Sequence, residues 1–204
     1  MNKKTISKLA LGLFAVLSFN AIAQENPWMV RVRATNLNWD NGQTATVQSA
    51  NVHAKNQTIP EVDISYFFNK NIAAELVLTY PQNVEIMAGS SSLGDVKALP
   101  PSLLLQYHFT DFGALKPYVG AGVNYTLFSN RKNLGSGAYS IESSSTGFVA
   151  QVGADYMLDK NWGVNFDVKY MKMNTDVFTN DTGASIGNLN LSPIATSVGV
   201  TYKF

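Results

Sequence analysis

The chain has 204 residues, 46% of them hydrophobic and 14% charged, with 15 glycines and no cysteine, against roughly 25% charged residues in an ordinary soluble domain. This is too apolar for a disordered chain and rules out a disulfide scaffold, and no stretch reaches the roughly 20 consecutive apolar residues of a membrane-spanning helix. Setting aside Lys3, Lys4 and Lys8 of the leader leaves 12 basic against 14 acidic residues, a balance with no affinity for nucleic acid.

The leader is residues 1–23. Asn2-Lys3-Lys4 and Lys8 give a basic start, Leu9 to Leu17 an apolar stretch, and Ala21-Ile22-Ala23 a small-x-small cleavage site. This is the pattern of a secretory signal peptide, with cleavage expected after Ala23. Residues 24–204 then form one domain, in a compartment that permits disulfides although the chain has no cysteine to form them.

Runs rich in β-branched and aromatic residues alternate with turn residues and predict eight strands, at 28–37, 57–68, 72–81, 98–109, 117–128, 147–158, 162–173 and 189–204. No segment has a helical period. Three connections are short: Asn69-Lys70-Asn71, Thr110 to Lys116, and Asp159-Lys160-Asn161. Four are long and rich in Gly, Ser and Asn: 38–56, 82–97, 129–146 and 174–188. Short turns at one end and long loops at the other predict an up-and-down antiparallel meander.

Successive side chains of a strand point to opposite faces, and here the two faces differ sharply. One carries Trp28, Val30, Val32, Ala34, then Val62, Ile64, Tyr66, Phe68, and so through Leu103, Leu105, Tyr107, Phe109, Val119, Ala121, Val123 and Tyr125 to Val198, Val200, Tyr202 and Phe204, without a charge. The other holds Arg31, Arg33, Glu61, Asp63, Glu75, Asp155, Asp167, Lys169 and Lys203. A soluble ligand-carrying barrel would turn the apolar face inward; a membrane barrel turns it to lipid.

Three features select the membrane. Trp28, Phe68, Phe109, Tyr156, Trp162 and Phe204 gather at the short-turn end and Tyr80, Tyr125 and Tyr170 towards the other, as two interfacial girdles require. Gly120, Gly122, Gly153, Gly163 and Gly199 lie on the charged face, as the crowded interior of a narrow barrel demands. The ending Val200, Tyr202, Phe204 resembles the C-terminal signature of bacterial outer-membrane proteins that is read by their assembly machinery. The expected fold is all-β, an eight-stranded antiparallel up-and-down transmembrane β-barrel in the bacterial outer membrane, in contact with its lipid.

The segment Leu99-Pro100-Pro101-Ser102-Leu103-Leu104-Leu105-Gln106-Tyr107-His108-Phe109, the run Lys116-Pro117-Tyr118-Val119-Gly120-Ala121-Gly122, and Gly153-Ala154-Asp155-Tyr156 with Trp162 resemble the OmpW family of outer-membrane proteins over nearly the whole exported chain. The resemblance implies periplasmic termini and a narrow lumen that passes small hydrophobic molecules.

The lumen also has a reading of its own. Arg31, Arg33, Glu61, Asp63, Glu75, Asp155, Asp167, Lys169 and Lys203 occupy the lower half and the middle, where unpaired buried charge would be costly. They are expected to pair into a polar plug. Above them the inward positions turn apolar: Leu37, Ile59, Val77, Pro100, Phe128, Val149, Met171, Met173, Leu189, Leu191 and Pro193. These predict an apolar upper lumen for small hydrophobic solutes, with exit sideways because the floor is closed. Pro60, Pro100, Pro101 and Pro193 each remove a ladder donor and mark either a weak place in the wall or the upper limit of the barrel. His53 and His108 are the only histidines and make neither a catalytic pair nor a metal site of familiar spacing, so no cofactor, metal or catalysis is expected. A structural, adhesive or receptor barrel and, less well supported, a lipid-modifying enzyme remain the alternatives.

Overall fold

The structure, a computed structural model, describes residues 26–204. The signal-peptide assignment to residues 1–23 falls outside them. Fifteen strands and one single-turn helix follow in chain order: β1 Trp28–Asn38, β2 Gly42–Gln43, α1 Ala45–Ser49, β3 Val52–Ala54, β4 Gln57–Phe67, β5 Ile72–Leu78, β6 Gln82–Ala88, β7 Ser91–Leu99, β8 Ser102–His108, β9 Leu115–Ser129, β10 Tyr139–Ile141, β11 Ser144–Met157, β12 Trp162–Met171, β13 Asn174–Thr179, β14 Ser185–Asn190 and β15 Ile194–Lys203.

Eight of these strands close a barrel in the order β1-β4-β5-β8-β9-β11-β12-β15 and back to β1, every pair antiparallel. They correspond to the eight predicted strands, with ends moved. The predicted strand 98–109 is broken at Pro100-Pro101, and the predicted 189–204 divides into β14 and β15 at Leu191-Ser192-Pro193. A proline has no N–H to give to a ladder, so the interruptions fall where the sequence removes the donor. β5 ends at Leu78, three residues before Pro81, and β12 ends at Met171.

The four long connections are not the loops that their polar composition suggests. Above the barrel β6 and β7 form a hairpin; β3 pairs with β6, and β7 rejoins the wall at Ala98↔Phe128. Opposite them stands a four-stranded sheet, β10-β13-β14-β2. The period-2 pattern explains both: Val84, Ile86, Val96, Ala98, Ile141, Val177 and Leu189 point inward and are buried among polar outward neighbours. The helix α1 brings Val47 onto this same core.

The two faces of the barrel separate as their alternation requires. Leu105, Val123 and Val198 are 59%, 59% and 61% exposed, whereas Arg31, Asp63 and Lys169 are 0% exposed. At the short-turn end Trp28, Tyr66 and Phe68 stack edge to face, as do Trp162, Tyr202 and Phe204, and the Phe204 amide donates to the Trp28 carbonyl. These two ladders join into one aromatic belt across the β1–β15 pair.

An eight-stranded barrel is just wide enough for its own side chains, and the inward glycines make room for the largest of them. A Cβ on Gly153 would lie 2.4 Å from the Tyr118 hydroxyl oxygen, and one on Gly199 would lie 2.7 Å from Cγ of Arg33. Gly153→Ala is therefore expected to displace the Tyr118 ring and lower stability by about 1–3 kcal/mol. Denaturant titration in lipid measures the loss, and an unchanged midpoint would contradict the crowding.

Candidate functional site

The lumen has three levels, each set by which residue types alternate inward at that height. The lowest buried level is ionic. Arg31 grips Asp155 with Nε and Nη2 at 3.0 and 2.7 Å and reaches Glu75 at 2.8 Å with Nη1. Arg33 pairs with Glu61 at 3.1 Å, with Asp167 at 3.4 Å, and with Asp63. Lys169 bridges Glu61 at 2.6 Å and Asp167 at 3.1 Å. Since β12 and β4 stand three strands apart in the ring, the Lys169–Glu61 bond crosses the lumen. The two-pronged Arg31–Asp155 contact is the strong, geometrically specific kind of ion pair.

Uncharged side chains complete this level, and the charge pattern did not mark them. The Tyr118 hydroxyl donates to Asp167 at 2.9 Å and accepts from Asn165 at 3.0 Å, while its ring lies 4.7 Å under the Arg31 guanidinium. Gln151 donates to Glu75 and accepts from Gln106. Their sequence signal was available: Gln106, Tyr118, Gln151 and Asn165 all occupy inward positions of alternating strands. Of the nine residues expected in the plug, eight meet here. Lys203 does not; it stands half-buried at the short-turn mouth, its Nζ 5.6 Å over the Phe67 ring.

Above the ions, Leu37, Ile59, Val77, Phe128, Val149, Met171, Met173, Leu189 and Leu191 are all buried in one apolar cluster, and Pro100 and Pro193 are buried at its edge. The expected apolar upper lumen is largely filled by its own side chains. The empty space lies higher, in a cavity of about 170 Å³ beneath the hairpins, walled by Val47, Val52, Ile86, Leu134, Ile141 and Val177. Of the residues expected to line the solute path, Leu189 and Leu191 reach this cavity. The others form the packed layer between cavity and ions. Sequence reading missed the cavity walls because they fall inside segments classed as polar loops.

The wall beside the apolar layer has a seam. The β4–β5 ladder runs from Phe67↔Ala73 up to Val62↔Leu78 and stops; pairing resumes where the Lys55 amide donates to the Glu85 carbonyl at 3.0 Å and continues through Ala54↔Ile86 between β3 and β6, in the same register. Pro60 and Pro81 lie in the unpaired interval. Within it, the side-chain atoms Gln57 Nε2 and Thr79 Oγ1 are buried without a hydrogen-bond partner. The other prolines behave differently: across Pro101 the wall is carried by the Tyr125 amide donating to the Pro101 carbonyl, and across Pro193 by the Met171 amide donating to its carbonyl. Outside the seam stands Tyr80, an exposed ring of the upper girdle.

The two histidines lie apart. His108 is buried between the rings of Phe67 and Tyr118, its Nε2 3.0 Å from the side-chain Oε1 of Gln106, while His53 Nδ1 meets the Asn51 backbone carbonyl above the barrel.

A sequence profile of the OmpW family matches residues 24–204. An uncharacterized outer-membrane protein of Sinorhizobium fredii, y4mB, is 44% identical over 185 residues, spanning 88% of this chain and 80% of its own. The crystal structure of the outer-membrane protein OprG from Pseudomonas aeruginosa superposes with a TM-score of 0.72 at 25% identity, covering 89% of this chain and 97% of that one. The outer-membrane protein AlkL, solved in lipid bilayers, gives a TM-score of 0.69 at 26% identity over 92% and 94% of the two chains; AlkL of Ectopseudomonas oleovorans is 32% identical over 76% of this chain and 70% of its own. The charge-free outer face, the closed eight-stranded wall and these likenesses agree: the chain belongs to the OmpW family and is a β-barrel of the Gram-negative outer membrane.

Proposed function

We propose that this protein takes up small hydrophobic molecules from outside the cell and releases them sideways into the membrane. The seam between β4 and the β5–β6 junction supports this reading, because ladder pairing lapses there beside the apolar layer and directly above the ionic floor. A solute first enters the cavity under the hairpins. An apolar cavity of roughly 150 Å³ stays dry and accepts a guest the size of benzene, so the 170 Å³ space here suits one small ring or a short alkyl chain. Desolvation of the guest drives entry. Rotamer changes in Leu189 and Leu191, and in flexible Met171 and Met173 below them, let it descend. The ion pairs then bar the straight path, since a solute displacing them would strand buried charges. The remaining way out is between Pro60 and Tyr80 into the outer leaflet.

No step in this reading is catalytic, and the separation of His53 from His108 supports that. Phe204, at the end of the strand beside β1 and β12, offers the assembly machinery the aromatic terminus that its signature implies.

The test is to close the seam. Pro60→Val with Pro81→Thr restores two ladder donors, and uptake of an apolar fluorescent probe into proteoliposomes is expected to fall at least several-fold while the barrel still inserts and folds. The polar wall substitution Leu191→Asn, which leaves an amide facing the solute, is expected to lower uptake as well. Unchanged uptake in both variants would favour a structural or adhesive barrel.

A further inference from the structure

Beneath the ionic level the short-turn end opens into a second cavity, of about 380 Å³, whose lining includes Lys70, Lys116, Lys160 and Lys203. The four come from four places in the chain. Lys70 is at the tip of the β4–β5 turn, Lys160 at the tip of the β11–β12 turn, Lys116 at the start of β9 and Lys203 at the end of β15. Lys116 is paired in register with the inward Asp155, and Lys203 with the inward Met29. Both therefore stand on the lumen side, unlike lysines that reach outward to lipid headgroups from the girdle face.

The carboxylates of this cavity are already occupied. Both oxygens of Asp155 are bound by Arg31, and Asn165 adds a further bond. Asp159 accepts from the amides of Asn161 and Trp162 at 2.8 and 2.7 Å, which hold it below the usual carboxylate range and fix it to its own turn. The Lys116 ammonium donates to the Thr110 carbonyl, a neutral acceptor that leaves its charge uncompensated. Among the described residues no carboxylate lies within ion-pair distance of Lys70, Lys116 or Lys160. Met29, Phe67 and Met157 give the same cavity an apolar part of its wall, beside His108 and Asp155.

We propose that this periplasmic mouth binds an oligoanion bearing phosphate groups, which the lysines hold as converging point charges. The ion pairs above separate this ligand from the upper lumen, so the site binds and does not conduct, and it stands independently of the uptake path. The phosphate comes either from a soluble periplasmic anion or from the headgroup of an anionic phospholipid.

The experiment uses the barrel in nanodiscs. In phosphatidylcholine discs, pyrophosphate is titrated and followed by phosphorus NMR; saturable binding is expected, weakening as salt rises from about 0.1 to about 1 M and the screening length falls from about 10 to 3 Å. Lys70→Gln with Lys160→Gln, both at exposed turn tips outside any ladder, is expected to weaken it at least about tenfold, the scale of one charge-assisted hydrogen bond. Lys55→Gln, on the extracellular side and paired with Glu85, is expected to leave it unchanged. In a second arm the discs contain phosphatidylglycerol. Preferential retention of that lipid by the parent and its loss in the double variant identifies a headgroup as the source; pyrophosphate binding alone identifies a soluble anion. The proposal is overturned if neither ligand binds saturably, or if binding survives intact in the double variant.

Discussion

Arginine in place of Leu105 is expected to destabilise the barrel by about 2–4 kcal/mol in lipid, the largest single effect on its outer face. Leu105 pairs with Ala121, which lies midway along β9 between Pro117 and the girdle ring of Tyr125, so its side chain meets the middle of the hydrocarbon layer. Val123→Arg, one position higher on that face, is expected to cost nearly as much. At Leu127, above the level of Tyr125, the same change is expected to cost only about 0–1 kcal/mol, because the new charge reaches the headgroups. Chemical unfolding in bilayers measures all three. An equal cost at every height would contradict the depth of burial assigned to this wall. Asn124, immediately next to Val123, is no neutral comparator: its amide donates to the Pro100 and Pro101 carbonyls and to Ser102, and it is fully buried.

The second large effect is expected inside. Removing the Arg31 side chain, as in Arg31→Ala, leaves Glu75 and both oxygens of Asp155 facing each other without their shared cation, and breaking a buried pair in this way typically costs about 3–5 kcal/mol. The variant is expected either to unfold at lower denaturant concentration or to admit water and conduct ions in planar bilayers, where the parent with its closed floor conducts little. Arg31→Met combined with Asp155→Asn is expected to recover part of the stability, because one of the two stranded carboxylates is then neutralised. A parent barrel that already conducts like a wide water-filled pore would contradict the closed floor.

Both effects follow from features with different origins in the chain. The outer wall was legible in the sequence, because a strand's facing is set by a local rule: alternate residues share a face, and lipid tolerates no charge on one of them. Val32, Leu105, Val123 and Val198 could therefore be assigned outward, and Arg31, Asp63 and Lys169 inward, from their neighbours alone. The same rule gave the eight strands, but it failed in the long connections. There polar residues mask short alternations such as Val84 and Ile86, and β6, β13 and most of β7 and β14 fall in segments whose composition reads as loop. Turn residues and strand residues mix in those segments, and only pairing with a distant partner decides that they become sheet.

The sequence by itself determined the class of the fold, the side that faces lipid, and the gathering of opposite charges within one narrow space. The tertiary structure decided who meets whom. Lys169 with Glu61 and Arg31 with Asp155 are contacts across the barrel, fixed by closure and register rather than by spacing along the chain. It also separated prolines that look alike: Pro101 and Pro193 are bridged by amides of the neighbouring strand, whereas Pro60 and Pro81 lie on the two sides of an interval where the ladder lapses. The same is true of Lys203, one inward charge among nine in the sequence, which closure places in the lysine-lined mouth instead of the ionic plug. Alternation says which face a residue takes, but its height and its partners depend on where the other strands stop, and that is settled only when the barrel closes.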